Sequence, residues 1–129
     1  PKAVTIVTKP HPGFPTDLQA PWMSLMTICT GFAKVTETVF ENRFLHAAEL
    51  GRMGAQIAVS RRTAVVAGQE RLSGAPIMAS DIRAGAALLV AGLAAKGKTA
   101  IARVYHIDRG YEIVERKLSG AGARIERQK

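Results

Sequence analysis

Three arginines stand where the sequence predicts the first turn of a helix, namely Arg43, Arg83 and Arg109. The N-terminus of a helix is positive, so a cation there costs about 0.3–1 kcal/mol unless an anion offsets it. Exposed backbone N–H groups and a guanidinium together bind carboxylate or phosphate strongly. The three arginines therefore predict a shared site for an anionic ligand. The alternative is that they extend into water or pair with Glu41 and Asp108.

Two aspartates, Asp17 and Asp81, stand at the start of predicted helices. An acid in this position stabilises a helix through its dipole, and that is the simpler interpretation of both residues. A role as general base would require a substrate hydroxyl within hydrogen-bonding distance. Both hypotheses stay open at the level of sequence.

Other reactive residue types carry weaker signals. Cys29 lies on an apolar helix face and is interpreted as core, not as a nucleophile. His11, His46 and His106 show no metal-ligand spacing, so we expect no metal site. The glycines of segment 119–122 follow a helix and indicate a C-cap, not a phosphate-binding loop.

The elements that must position these residues occur twice. Segment 16–20 matches 80–84 at an offset of 64, Arg43 matches Arg109 at 66, and positions within 50–57 match positions within 118–125 at 68. Such self-similarity indicates a duplicated unit of about 66 residues whose loops differ slightly in length. We expect two units, about 3–67 and about 70–129, packed as one body.

The first unit is predicted as β-α-β-α-β-β. A strand at 3–8 precedes a helix from about Asp17, in which Thr16 and Gln19 have capping-box spacing. The buried face of that helix is predicted to hold Leu18, Trp22, Leu25, Met26 and Cys29. A strand at 35–40, a helix at 43–53 closed by Gly54, and strands at 55–59 and 63–67 follow.

The second unit is predicted likewise. Ser80 caps a helix whose apolar face is Ile82, Ala86, Leu89, Val90 and Leu93. A strand at 98–104 follows, Asp108 caps a helix at 109–119, and a last strand occupies 121–127. Alternating helices and strands predict an α/β fold with parallel strand pairing.

Composition limits the classes of partner. Eighteen Lys and Arg against ten Asp and Glu give a net charge of +8 and favour anionic partners. A single cysteine excludes internal disulfides, and the apolar stretch 84–95 is too short to cross a membrane. The chain begins without an initiator Met or a signal peptide, so we expect a cut or processed end and a cytoplasmic location.

Several motifs together resemble one family. They are Phe-Pro-Thr-Asp-Leu-Gln at 14–19, Thr-Glu-Thr-Val-Phe-Glu-Asn-Arg-Phe at 36–44, Leu-Ser-Gly-Ala at 72–75, Ser-Asp-Ile-Arg-Ala at 80–84 and Tyr-His-Ile-Asp-Arg-Gly-Tyr-Glu at 105–112. The resemblance is to the UDP-N-acetylglucosamine 1-carboxyvinyltransferase family of enolpyruvyl transferases and runs nearly end to end. It implies an inside-out α/β barrel with central helices and outer sheets. The chain would supply about two of the three β-α-β-α-β-β units of a C-terminal domain.

The resemblance also implies a reaction, transfer of the enolpyruvyl group of phosphoenolpyruvate to UDP-N-acetylglucosamine with release of phosphate, and it implies no metal or organic cofactor. Asp17 resembles the general base, and Asp81 an acid that shares in proton handling or orients an arginine. The remaining implied contacts are Val39 for the sugar nucleotide, Arg43 and Arg83 for the carboxylate of phosphoenolpyruvate, and Arg109 for its phosphate.

The same resemblance implies a missing part. The general-acid cysteine, further phosphate-binding residues and most nucleotide contacts belong to an N-terminal domain that this sequence lacks, so we expect the chain alone to be inactive. Another acceptor, such as shikimate-3-phosphate, is an alternative within the fold. A basic nucleic-acid-binding module is a second alternative, which is disfavoured because Trp22 and Phe40 belong to apolar runs and no nucleic-acid motif occurs.

Overall fold

A computed structural model describes residues 2–10, 12–39, 44–111 and 113–128. In chain order its elements are β1 (Ile6–Val7), a 3-10 turn (Thr16–Leu18), α1 (Gln19–Met26), β2 (Phe32–Thr36), α2 (His46–Arg52), β3 (Gln56–Ser60), β4 (Thr63–Ala67), β5 (Pro76–Met78), α3 (Ile82–Ala94), β6 (Ala100–Ala102), α4 (Tyr105–Asp108) and α5 (Val114–Gly120). Helices and strands alternate along the chain, which confirms the predicted α/β class.

The strands form two sheets. β1, β2, β4 and β3, in that order, make a four-stranded sheet, while β5 and β6 make a separate pair. β1 runs parallel to β2 with Ile6 opposite Val35, and β5 runs parallel to β6 with Ile77 opposite Ile101. β4 is antiparallel to both of its neighbours. Parallel pairing is therefore confirmed at the two crossovers that contain α1 and α3, and β3 and β4 form a hairpin.

The two crossover helices pack on each other. Ser24 Oγ on α1 donates a hydrogen bond of 2.7 Å to the carbonyl oxygen of Ala87 on α3. Met23 of α1 and Leu88 of α3 are fully buried, and Val35 of β2 belongs to the same cluster. One apolar core thus joins the helix pair to the four-stranded sheet and holds the N-terminal ends of α1 and α3 at fixed positions.

The buried face of α1 differs from the prediction. Leu18 and Leu25 are 53% and 40% exposed, whereas Gln19 and Ser24 are buried. The cause is that α1 has neighbours on more than one side and its buried polar side chains find hydrogen-bond partners. An apolar pattern alone does not identify a face of that kind.

The end of the chain also differs from the prediction. Of the helix predicted at 109–119, the described residues form only α5, which starts after Ile113 in a left-handed conformation with φ of 45°, while α4 ends before the predicted start. Segment 121–127 forms no strand, because no strand among the described residues lies beside it to accept its hydrogen bonds. Arg127 instead binds the side chains of Asp108 and Glu115.

Several strand bounds shift as well. The strands predicted at 3–8, 35–40 and 98–104 are shorter or displaced, whereas those of the β3–β4 hairpin are confirmed within one residue. Gly31, with φ of 101°, turns the chain directly into β2, and Arg103, with φ of 59°, follows the end of β6. The described part of the helix predicted at 43–53 is α2, and Gly54 closes it with φ of 94°. Among the described residues, no helix has the length and apolarity that spanning a membrane would need.

Candidate active site

Asp17 lies in the 3-10 turn immediately before α1. Its side chain is 76% exposed, and the Nη1 atom of Arg83 lies 3.5 Å from its Oδ1. Arg83 is the second residue of α3 and so lies in its first turn, as predicted, and its side chain is 32% exposed. The fold thus brings together one acidic and one basic side chain, Asp17 and Arg83, from the equivalent ends of the two crossover helices. A contact this long and this exposed is weak, so both groups remain open to a ligand.

Asp81, not Ser80, is the N-cap of α3. Its Oδ1 accepts a hydrogen bond of 2.8 Å from the backbone N of Ala84, and its backbone is extended. The prediction was one residue early, since the side chain that accepts from an amide of the first turn is that of Asp81. The carboxylate of Asp81 therefore has a structural function next to Arg83.

A cleft opens between the beginnings of α1, α2 and α3. Its empty space is about 270 Å³, including the part open to solvent. Thr16, Gln19, Ala20, Leu45, His46, Asp81, Arg83 and Ala84 line it. Asp17 and Arg83 stand where two of these helices begin, so a small anion bound by Arg83 would lie next to an exposed carboxylate.

His46, the first residue of α2, is 2% exposed. Burial lowers the pKa of its imidazole to about 4, and the nearby carboxylate of Asp81 opposes this shift. No group among the described residues hydrogen-bonds its Nε2. The cleft therefore contains a neutral imidazole near neutral pH.

Glu37 is the residue that sequence reasoning missed. It is 1% exposed, and its carboxylate accepts hydrogen bonds from Thr8 Oγ1 (2.7 Å), Thr16 Oγ1 (2.8 Å), the Val39 backbone N (3.1 Å) and Gln19 Nε2 (3.3 Å). Burial alone would raise its pKa, but these hydrogen bonds outweigh burial and lower the pKa below the ordinary value. Glu37 is therefore a buried ionised carboxylate.

A signal for Glu37 exists in the sequence. Ala33 and Val35 are the buried residues of β2, and continued alternation turns Glu37 to the same face. A charged residue in such a position requires several donors. The same network overturns the predicted capping box, because Thr16 and Gln19 both bind Glu37 and no side chain caps α1.

Arg109 was predicted to lie in the first turn of a helix. It lies instead directly after the end of α4. Its guanidinium carbon lies 6.0 Å from the ring centroid of Tyr105. The next residue, Gly110, packs so closely on α3 that a Cβ there would lie 1.7 Å from Cδ1 of Ile82. The backbone beside Arg109 therefore touches the residue that precedes Arg83.

The predicted partner and cap roles of Asp108 are not observed. Asp108 ends α4, and both of its carboxylate oxygens accept hydrogen bonds from Arg127, at 2.7 and 3.0 Å. These bonds lower the pKa of Asp108. Of the other predicted site residues, Val39 is half-buried and donates its amide to Glu37, while Arg43 lies outside the described residues.

Comparison with known proteins points to one family. The model of the family described as EPSP synthase (3-phosphoshikimate 1-carboxyvinyltransferase) matches residues 1–118. A UDP-N-acetylglucosamine 1-carboxyvinyltransferase of Anaeromyxobacter sp. (strain Fw109-5) is 61% identical over 129 residues, which are 100% of this chain and 31% of that protein. The chain thus spans less than a third of the length of this curated relative.

Two solved structures share the fold. The enolpyruvyl transferase NikO from Streptomyces tendae superposes with a TM-score of 0.87 at 32% identity, covering 97% of this chain and 29% of that one. An EPSP synthase from Acinetobacter baumannii superposes with a TM-score of 0.70 at 18% identity, covering 98% of this chain and 29% of that one. The second likeness concerns the fold alone.

Proposed function

The chain belongs to the EPSP synthase (3-phosphoshikimate 1-carboxyvinyltransferase) family, and from this membership we propose that it is part of an enzyme that transfers the enolpyruvyl group of phosphoenolpyruvate to UDP-N-acetylglucosamine. The observation that carries the choice of acceptor is the 61% identity, over the whole chain, to a UDP-N-acetylglucosamine 1-carboxyvinyltransferase. The reaction would serve peptidoglycan synthesis in the cytoplasm, and through it cell shape and division.

In this proposal Arg83 binds the carboxylate end of phosphoenolpyruvate, and the carboxylate of Asp17 acts as the base that activates the acceptor hydroxyl. The carboxylate of phosphoenolpyruvate replaces Asp17 at the guanidinium of Arg83, where the first turn of α3 adds its own positive potential. Asp17, released from that contact, then accepts the proton of the sugar hydroxyl. The 3.5 Å contact and the 76% exposure of Asp17 support this exchange, because little energy holds the pair together.

The proposed reaction is addition followed by elimination. The hydroxyl oxygen bonds to the central carbon of phosphoenolpyruvate as its proton passes to Asp17, and an acid from the rest of the enzyme protonates the methylene carbon. Loss of a proton from the resulting methyl group and departure of phosphate restore the double bond. Positive groups arranged beforehand around the carboxylate and the phosphate stabilise the charge that develops.

The other predicted residues complete the proposal. Arg43 shares the carboxylate with Arg83, Arg109 binds the phosphate, and the backbone of Val39 contacts the sugar nucleotide. Asp81 keeps Arg83 in place by capping α3, and this cap bond supports an orienting role over direct proton transfer. The contact between Gly110 and Ile82 supports the role of Arg109, because it ties that segment to the start of α3.

We also propose that the chain forms two units, 3–67 and 70–129, of a C-terminal domain whose partner is the rest of the enzyme. The order β1-α1-β2-α2-β3-β4 supports the first unit, and β5-α3-β6 supports the beginning of the second. A chain that spans 31% of its relative is consistent with this division.

A chimeric enzyme tests the proposal. This chain replaces the matching 129 residues of the Anaeromyxobacter relative, and phosphate release is measured with phosphoenolpyruvate and either UDP-N-acetylglucosamine or shikimate-3-phosphate. We expect turnover with the sugar nucleotide only, and none from the 129-residue chain alone. Arg83→Lys should lower kcat/KM about 100-fold, because one ammonium cannot replace a guanidinium fork, whereas Ser80→Ala serves as the neutral control.

A chimera without turnover would contradict the proposal, and so would either of two further results. Turnover with shikimate-3-phosphate in place of the sugar nucleotide would show that the acceptor is wrong. Product formed by the 129-residue chain alone would show that no other part of an enzyme is needed.

A further inference from the structure

Glu37 joins the two segments that carry Asp17 and Val39. Its Oε1 accepts hydrogen bonds from the side chains of Thr16 and Gln19, which stand just before and two residues after Asp17. Its Oε2 accepts from Thr8 and from the amide of Val39. One buried carboxylate therefore connects the beginning of α1, the residue directly after β1 and the segment after β2.

The carboxylate of Glu37 is hydrogen-bonded to protein groups and does not serve as a ligand-binding group. Glu37 is 1% exposed, so no ligand reaches its carboxylate in this arrangement. A buried carboxylate is stable only while several donors satisfy it, and four groups of the described residues donate to this one. Because so many bonds depend on one group, the positions of its donors are coupled.

The coupling reaches Asp17 from both sides. Thr16 precedes it and Gln19 follows two residues later, and the turn is closed by a hydrogen bond of 3.1 Å from Leu18 N to Pro15 O. The backbone of Asp17 is thus fixed while its side chain remains 76% exposed. An exposed acid on a fixed turn has a defined position and is accessible to substrate.

The coupling reaches Val39 through the other oxygen. The Val39 amide donates directly to Glu37, and Thr8 Oγ1, which donates to the same oxygen, accepts a hydrogen bond of 2.8 Å from the amide of Thr38. Thr38 Oγ1 in turn donates to the carbonyl oxygen of Thr8. Two successive amides after β2 are therefore held at a fixed distance from the turn that carries Asp17.

We propose that Glu37 is a positioning residue, which sets the distance between Asp17 and the Val39 backbone by binding both segments with one carboxylate. This inference rests on the proposed function, in which Asp17 takes the proton of a sugar hydroxyl and Val39 contacts the same sugar nucleotide. Arg83 stands outside the network because Asp81, a residue of its own helix start, caps α3. Loss of Glu37 should therefore affect proton transfer more than the binding of phosphoenolpyruvate.

The test uses Glu37→Gln and two substitutions of Thr8 in the chimera. Glu37→Gln turns one oxygen into a donor that faces other donors, while Thr8→Val removes a hydroxyl from a fully buried residue with little change of shape. Both should lower kcat, Glu37→Gln by about 100-fold, with KM for phosphoenolpyruvate changed less than about threefold, because a displacement of about 1 Å is enough for such a loss. Thr8→Ser keeps the hydroxyl and should restore kcat.

Ser24→Ala is the matched control. It removes a buried hydrogen bond of α1, to the carbonyl oxygen of Ala87, without touching the network. If Glu37→Gln and Thr8→Val leave kcat as high as Ser24→Ala does at a temperature where all variants are folded, Glu37 is only structural and the inference is wrong.

Hydrogen exchange in the chimera decides the coupling independently of activity. Glu37→Gln and Thr8→Val should each raise exchange at the amides of Val39 and Leu18 together, by about tenfold or more, as expected when a local opening becomes easier. A rise at only one of the two amides, or at neither, would overturn the inference. An unmodified chimera without turnover would instead contradict the proposed function, and exchange would still decide the role of Glu37.

Discussion

The beginnings of α1 and α3 have matching sequences but are stabilised differently. Segment 16–20 and segment 80–84 each place an aspartate after a hydroxyl residue. At α3, Asp81 caps its own helix through Ala84 N. At α1, Asp17 makes no cap, and the preceding turn is held by Glu37, a residue distant in sequence. The same local pattern thus gives a structural aspartate at the start of α3 and an exposed one before α1.

Two matching segments can thus have different functions. The residue two places after each aspartate is the buried Gln19 in the first segment and the part-exposed Arg83 in the second. The first segment therefore presents an acid, the second presents a cation, and the two meet at 3.5 Å. External support from Glu37 releases Asp17 from capping, so its carboxylate is available for chemistry.

Glu37→Ala should have the largest effect on stability. It leaves the donors of Thr8, Thr16, Gln19 and Val39 without their acceptor, and we expect the free energy of unfolding to fall by about 3–5 kcal/mol. Chemical denaturation followed by the fluorescence of Trp22, the only tryptophan, measures it. Glu115→Ala removes an acid that pairs with Arg127 at the surface and should change the free energy of unfolding far less than Glu37→Ala does. Equal losses of unfolding free energy in Glu37→Ala and Glu115→Ala would show that Glu37 stabilises the start of α1 no more than a surface acid stabilises its own region.

Low pH should have the next largest effect on stability, and it acts through His46 in the cleft between the beginnings of α1, α2 and α3. The pKa of His46 is about 4 when folded against 6.5 for the free side chain, so the folded chain binds fewer protons between these values. Its stabilising contribution is complete above pH 6.5 and is lost as the pH falls toward 4, by about 3 kcal/mol. Denaturation at pH 7 and pH 4 should show this difference, and His46→Gln should remove most of it.

Glu37 should add a second loss of stability at still lower pH. Its folded pKa is lowered, so its contribution is present above the ordinary carboxylate pKa and is lost as the pH falls through the folded value. The loss of stability that remains in His46→Gln should therefore begin at lower pH than the loss caused by His46, which begins near pH 6.5. A His46→Gln chain that loses stability between pH 6.5 and 5 as steeply as the unmodified chain would exclude His46 as the cause.

Sequence patterns were sufficient for the framework of the fold. The β3–β4 hairpin, the two crossover helices and the α/β class follow from periodicity, glycine positions and the duplication. The patterns failed on the buried faces of both crossover helices, since Val90 and Leu93 of the predicted apolar face of α3 are 39% and 49% exposed. Leu18 and Leu25 were expected inside α1, yet Gln19 and Ser24 are inside, because hydrogen bonds from distant residues make their burial favourable.

The predicted site follows the same division. The position of Arg83 in the first turn of α3 was predictable from local helix signals. The supports of Asp17 and the place of Arg109 were not, because each depends on residues far away in the sequence. Glu37 acts across 18 to 29 positions, and Arg109 follows a short helix whose end is packed against Ile82. Long-range contacts of this kind leave no local periodicity.

Asp81→Ala should have a smaller effect on stability than Glu37→Ala. Removing an N-cap leaves one amide unsatisfied, so we expect a loss of about 1 kcal/mol, which Asp81→Asn should largely restore. Ser80→Ala is the matched control and should be close to neutral, since Ser80 is exposed and is not the cap. Denaturation midpoints of the three variants measure the differences. A larger loss from Ser80→Ala than from Asp81→Ala would reverse the assignment of the cap.

The ion pair between Asp17 and Arg83 should contribute least to stability. Its side chains are 76% and 32% exposed and its atoms are 3.5 Å apart, so a double-mutant cycle with Asp17→Asn and Arg83→Gln should give a coupling below about 1 kcal/mol. The same substitutions in the chimera should each lower kcat/KM by about 100-fold. A coupling above about 2 kcal/mol would mean that the pair is a structural bond too strong for a ligand to open. A weak pair with a large effect on turnover is what the α1 and α3 starts require, because each is stabilised by other residues and neither depends on the contact between them.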